Sequence, residues 1–159
     1  MTAYADSSFL VRLIVDEIGS EEAVAVFRQL QRPQPVFNRL HSLEVRNALR
    51  QKAFMDAVKL PIAKRAQVTK HLSRSEARLE AYLKRDVFIA SDTEWPDTFE
   101  DAEGFSSSHT LRLGTCAFDI LHVAAACRAT MKLFITCDLR QAALAKAEGL
   151  KTIVVDVSE

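Results

Sequence analysis

Glycine is scarce in this chain, with four residues in 159, and none belongs to a G-x-G-x-x-G or G-x-x-x-x-G-K-[ST] run. The backbone cradles that hold dinucleotides and nucleotide phosphates need such runs, so nucleotide-cofactor folds are poorly supported. Cysteine is as sparse. Cys116, Cys127 and Cys137 are an odd number with no C-x-x-C pair, which fits a reduced, cytoplasmic protein better than a disulfide framework. His41, His71, His109 and His122 lack zinc-type spacing. No G-x-S-x-G surrounds a serine, so a triad of Ser7, His122 and Asp119 is weakly founded. No apolar run approaches a membrane span, and the N-terminus lacks the basic start and apolar stretch of a signal peptide. Net charge is also absent: 21 basic residues offset 21 acidic ones.

What is present suits one soluble domain over residues 1–159. A 48% hydrophobic, 26% charged composition at this length is enough to bury a real core. The zero net charge hides a dipolar layout. Residues 39–85 hold twelve Lys or Arg against four acids, a formal +8, and residues 92–103 hold six acids and no base, a formal −6. A basic middle can attract nucleic acid through phosphate contacts. Arg46, Arg50, Lys64, Arg65, Lys70, Arg74 and Arg78 are the candidate RNA-binding residues. A solvated helix face balanced by its neighbours accounts for the same charges.

Hydrophobic periodicity predicts strands at 2–5, 36–37, 87–90, 132–136 and 152–157. It predicts helices at 9–17, 21–31, from His41 onward, from Pro61 to about 83, at 115–129 and at 138–148. Gly149 stops the last of these. A further helix is expected beyond Trp95, weakened by Gly104. In the helix opened by Pro61, the residues predicted to face inward are Ile62, Ala66, Val68, Leu72, Leu79 and Leu83. Repeated β-α alternation predicts a three-layer α/β/α domain with a mainly parallel sheet. Such sheets bind ligands outside the carboxyl ends of their strands.

Four carboxylates sit near predicted helix starts: Asp6, Glu44, Asp119 and Asp138. Asp6 and Asp138 each follow a strand, where either a helix cap or a shared site explains them. Glu44 is equally an early-turn acid that complements a helix dipole. Asp119 lies among apolar residues and needs a partner there. His122, three positions on, can supply it from the same face. If the fold collects all four acids, the natural compensation is a hard divalent cation, and metal-assisted phosphodiester chemistry is the first expectation. Ser7 and Thr136 are placed to orient the carboxylates, with capping or strand packing as their alternative.

Four segments in order carry a resemblance: Tyr4-Ala5-Asp6-Ser7-Ser8, Leu43-Glu44-Val45-Arg46-Asn47-Ala48-Leu49, Phe118-Asp119-Ile120-Leu121-His122-Val123-Ala124-Ala125-Ala126, and Phe134-Ile135-Thr136-Cys137-Asp138. Together they look like a PIN domain, and the length resembles the small VapC-type toxins of toxin–antitoxin pairs. The resemblance implies a Mg²⁺- or Mn²⁺-dependent endoribonuclease with Asp6, Glu44, Asp119 and Asp138 as catalytic and metal-binding acids. It also implies a homodimer and inhibition by a small antitoxin. The expected alternative is a PIN-like module that binds RNA or protein without cutting.

Overall fold

A computed structural model describes residues 2–157. The strands β1 (Thr2–Ala5), β2 (Gln34–Phe37), β3 (Ile89–Ala90), β4 (Leu133–Thr136) and β5 (Lys151–Val154) form one sheet in the order β3-β2-β1-β4-β5. Every pairing is parallel. Period-two alternation decides which layer each strand residue serves. Ala3, Ala5, Phe37, Leu133 and Ile135 face one apolar cluster, and Tyr4, Val36 and Phe134 face the other. Tyr4 and Phe134 stack with parallel rings 5.6 Å apart across β1 and β4.

Helices cover both faces. On the first lie α1 (Ser7–Ile14), α2 (Ser20–Gln29), α3 (Arg39–Lys59) and α4 (Arg65–Lys84), packed through Phe9, Leu10, Ile14, Leu49 and Leu79. On the second lie α5 (Trp95–Leu113), α6 (Ala117–Arg128) and α7 (Leu139–Ala147), packed through Ile120, Ala124 and Leu144. This is the three-layer α/β/α arrangement that the alternation predicts. The chain winds outward from β1 to β2 and β3, then returns to lay β4 on the other side of β1. The reversal puts a topological switch point between β1 and β4, where open parallel sheets leave a crevice at their carboxyl ends.

Several boundaries depart from the periodicity. Pro61 does not open α4. It precedes a single 3₁₀ turn, Ile62–Lys64, that breaks the run into two antiparallel arms. Ile62 and Ala66, expected inward, are exposed at that bend, whereas Val68 and Leu79 are buried. The predicted strand 87–90 shortens to Ile89–Ala90, because β3 is an edge strand paired only with β2. α5 runs straight through Gly104, where an added Cβ would meet nothing. Gly149 stops α7 with φ +85°, and Leu150 donates back to the Ala145 carbonyl. Gly19 precedes α2 with φ +83°, and a Cβ there would collide with Val157.

The acidic stretch has a structural partner. Asp97 and Asp101 on α5 both bond Arg128 at the end of α6, Asp101 in a fork, at 2.7 and 2.6 Å for the shortest contacts. Among the described residues, no helix is long and apolar enough to cross a membrane.

Candidate functional site

Asp6 and Asp138 follow the carboxyl ends of β1 and β4, and Glu44 and Asp119 lie near the starts of α3 and α6. Asp6 directly follows β1, and its amide donates to the Ile135 carbonyl of β4 at 2.9 Å. It is the N-cap of α1 and accepts from the Phe9 amide at 3.0 Å. The Ser8 hydroxyl reaches both its oxygens, and the Thr136 hydroxyl lies 2.9 Å from Oδ2. Burial pushes the Asp6 carboxyl above its ordinary range, against these hydrogen bonds and the nearby His122. Asp138 is the N-cap of α7, accepting from Arg140 and Gln141 amides at 2.7 and 3.1 Å. Its own amide donates to Thr136 Oγ1 at 2.9 Å. Thr136 therefore ties Asp6 to the start of α7.

Asp119 sits differently from expectation. It is half-buried rather than deep in the core, because α6 begins at Ala117 and Asp119 is in its first turn. Its carboxylate reaches back to the Cys116 amide at 3.1 Å, as a first-turn acid does in a capping box. His122 is not its partner. Gln141 Nε2 donates to the Asp119 carbonyl at 3.4 Å and joins α6 to α7 beside Thr136.

His122 turns instead to Glu44. Its Nε2 contacts Glu44 Oε2 in a short hydrogen bond, and the Ser7 hydroxyl donates to the same oxygen at 2.7 Å. On the other side of the ring, Tyr4 Oη lies 3.0 Å from Nδ1, and Asn38 Nδ2 donates to Tyr4 Oη at 3.3 Å. Burial pushes the Tyr4 phenol far up, so it stays a donor. One assignment satisfies every group: Asn38 donates to Tyr4, Tyr4 to Nδ1, and Nε2–H to Glu44. Burial alone would raise the Glu44 carboxyl, but His122 and Ser7 hold it below its usual range. A Ser–His–acid triad does not form, because serine and acid meet the same ring nitrogen.

His41 completes the buried polar layer. It packs 4.8 Å from the His122 ring, and its Nε2–H donates to the Ala5 carbonyl at 2.8 Å. Burial holds it well below the usual imidazole range against that hydrogen bond. The fold therefore disfavours its protonation, and the unfolded chain takes the proton more readily, below about pH 6.5. The unfolded state binds the extra proton in that window, so the His41 contribution is full above it and is lost as pH falls, by up to ~1.4 kcal/mol per pH unit. Urea melts at pH 7.5 and 5.5 are expected to show this loss, and His41→Gln is expected to flatten it. An equal loss in the variant would refute the assignment.

The donor chemistry suits a hard cation such as Mg²⁺ or Mn²⁺. All four acids offer oxygen, and the two protein donors to Glu44, Ser7 and His122, both meet Oε2. The geometry is not that of a closed cage, because among the described residues no group of three or more His, Cys, Asp or Glu could hold a metal ion jointly. A hydrated ion needs only one or two direct carboxylate contacts, since Mg²⁺ keeps most of its water.

No protein-family model matches this chain, and no curated protein matches it.

The basic residues divide into two groups. Arg46 and Arg50 of α3 bridge to Glu80 and Glu76 of α4 at 2.7 and 3.5 Å, and Arg78 donates to the Ile14 carbonyl at 2.8 Å. Lys64, Arg65, Lys70 and Arg74 are exposed and make no such bonds among the described residues. Sequence reasoning missed Tyr4, Asn38, His41 and the true partner of His122. Alternation along β1 offered one signal, since it sends Tyr4 to the opposite face from Ala3 and Ala5, toward α6.

Proposed function

We propose that this chain is a metal-dependent endoribonuclease of the PIN-like, VapC-type toxin kind, cutting RNA phosphodiester bonds. The observation that supports the reading is the hydrogen-bond network at the switch point between β1 and β4: Thr136 joins Asp6 to Asp138 at the start of α7, Gln141 reaches the Asp119 backbone carbonyl, and Ser7 reaches Glu44. A hard cation bound there would polarise a phosphoryl oxygen and make a water acidic. Asp6, Glu44, Asp119 and Asp138 are the residues that would hold it, directly or through its waters. Thr136 and Ser7 orient the acids, and His122 fixes the rotamer of Glu44. The small antitoxin and the homodimer expected from the resemblance belong to this proposal, as does a cytoplasmic location.

The deciding experiment is cleavage of matched RNA and DNA strands with Mg²⁺, Mn²⁺ or EDTA. Metal-dependent cutting of RNA supports the reading, and cutting of DNA alone redirects it to a DNA nuclease. One observation favours a second reading, a module that binds RNA or protein without cutting: each acid already serves a protein hydrogen bond. Binding without metal-dependent cleavage would select it.

The exposed part of the basic arm is the proposed phosphate track. Charge reversal at Lys70 and Arg74 is expected to weaken RNA binding and to shallow its log–log salt slope by roughly 0.7 for each phosphate no longer neutralised. An unchanged slope would remove the arm from the interface. Arg46, Arg50 and Arg78 are excluded from that test, because replacing them would disturb the packing of α3, α4 and α1.

A further inference from the structure

Phe118 and Leu43 are the residues next to Asp119 and Glu44, and both are large apolar side chains left exposed. They are 48% and 61% exposed and belong to neither apolar cluster. The Phe118 ring meets no other aromatic ring among the described residues. They line one open cavity of about 640 Å³ between α1, α3 and the start of α6, and Ser7 and Glu44 line it too. That volume lies within the range of small-ligand sites, on the order of 300–1,000 Å³. The same cavity receives Asn47, exposed and one helical turn beyond Leu43, and Gln51 a further turn on. Positions i, i+4 and i+8 share a helix face, so α3 presents one apolar and two amide side chains in a row.

We propose that this cavity is a base subsite, in which an unpaired nucleobase stacks on Phe118 against Leu43 and has its edge read by Asn47. The proposal rests on the nuclease reading and deepens it by naming what holds the nucleotide beside the cut. Aromatic rings take bases by their faces whatever the sequence, while amides discriminate edges by hydrogen bonding. A base in this cavity sets the adjoining phosphodiester beside Glu44, at the mouth of the acid site. Lys52, on the same wall and paired with Asp56 at 3.6 Å, adds a cation for the strand's backbone. A paired base keeps both faces covered by its neighbours and does not enter.

Two measurements on the full chain test this. In EDTA, anisotropy with a short labelled RNA strand and its duplex is expected to show preference for the single strand. Phe118→Ala is expected to weaken single-strand binding about tenfold, and Phe118→Trp to preserve it. With Mn²⁺, Asn47→Ala is expected to change which nucleotide flanks the cut, while its melting temperature stays with the parent's. If the parent cuts RNA, and Phe118→Ala keeps both its affinity and its cleavage pattern, the subsite is refuted and the nuclease reading stands. If the parent neither binds nor cuts any strand, both fall together.

Discussion

Replacing Asp6 with Asn is expected to leave a folded protein whose metal-dependent RNA cleavage falls on the order of 10³-fold, because a metal site supplies several kcal/mol of transition-state stabilisation. The fold should tolerate the change. Asn is as good an N-cap as Asp, and its carbonyl oxygen can keep the Phe9 amide that Asp6 now accepts. The charge itself is a burden. Burial raises the Asp6 carboxyl, so the group contributes its full stability only below its unfolded value and loses it as pH rises through the folded one. The metal-free variant should therefore melt no lower than the parent at neutral pH. Added Mn²⁺ should raise the parent's melting temperature, since a ligand of the native state stabilises it, and should do so less in the variant. Full cleavage by Asp6→Asn would sink the proposed chemistry. A collapse of its melting temperature would show that the carboxylate is needed mainly for the fold.

The second large effect is expected at His122. Changing it to Leu fills much of the space but leaves the Tyr4 hydroxyl without its acceptor and removes one of the two donors to Glu44. His122 is 2% exposed, so water does not readily replace those bonds, and the loss is expected to be ~2–4 kcal/mol. At ~2–4 °C per kcal/mol for a chain of this size, the melting temperature should fall by about 5–15 °C. Tyr4→Phe, which removes one hydroxyl and keeps the ring stack on Phe134, should cost only ~1 kcal/mol. The two variants separate packing from positioning. If His122 sets the rotamer of Glu44, cleavage should fall ~10–100-fold in the variant even below its melting range. An unmoved melting temperature would show that the buried chain of hydrogen bonds contributes little.

The fold was largely legible because its signals are local. Strand alternation, the caps at Asp6 and Asp138, and the stop at Gly149 each follow from neighbouring residues and the backbone groups they satisfy. The misreadings arose where a local pattern had two solutions. Ile62 and Ala66 keep helical spacing but fall at a bend, where no second element arrives to cover them. Asp119 reads as buried within an apolar run, yet Gly114 turns the chain just before it and makes it a first-turn acid. His122 follows Asp119 at a pairing distance along the helix. The helix axis sends it inward, and Asp119 toward the rim.

By itself the sequence determined the layers, the parallel sheet, and the placing of two acids at strand ends. These depend on periodicity and on backbone hydrogen bonding, which every segment must solve for itself. Only the tertiary structure decided who meets whom. Glu44 is 78 residues from His122 and 37 from Ser7, and Asp6 is 130 from Thr136. Such pairs are set by which strands become neighbours, and here that is the reversal that lays β4 against β1. Phe118 and Leu43 stay exposed beside the acids, on the walls of the cavity between α1, α3 and the start of α6.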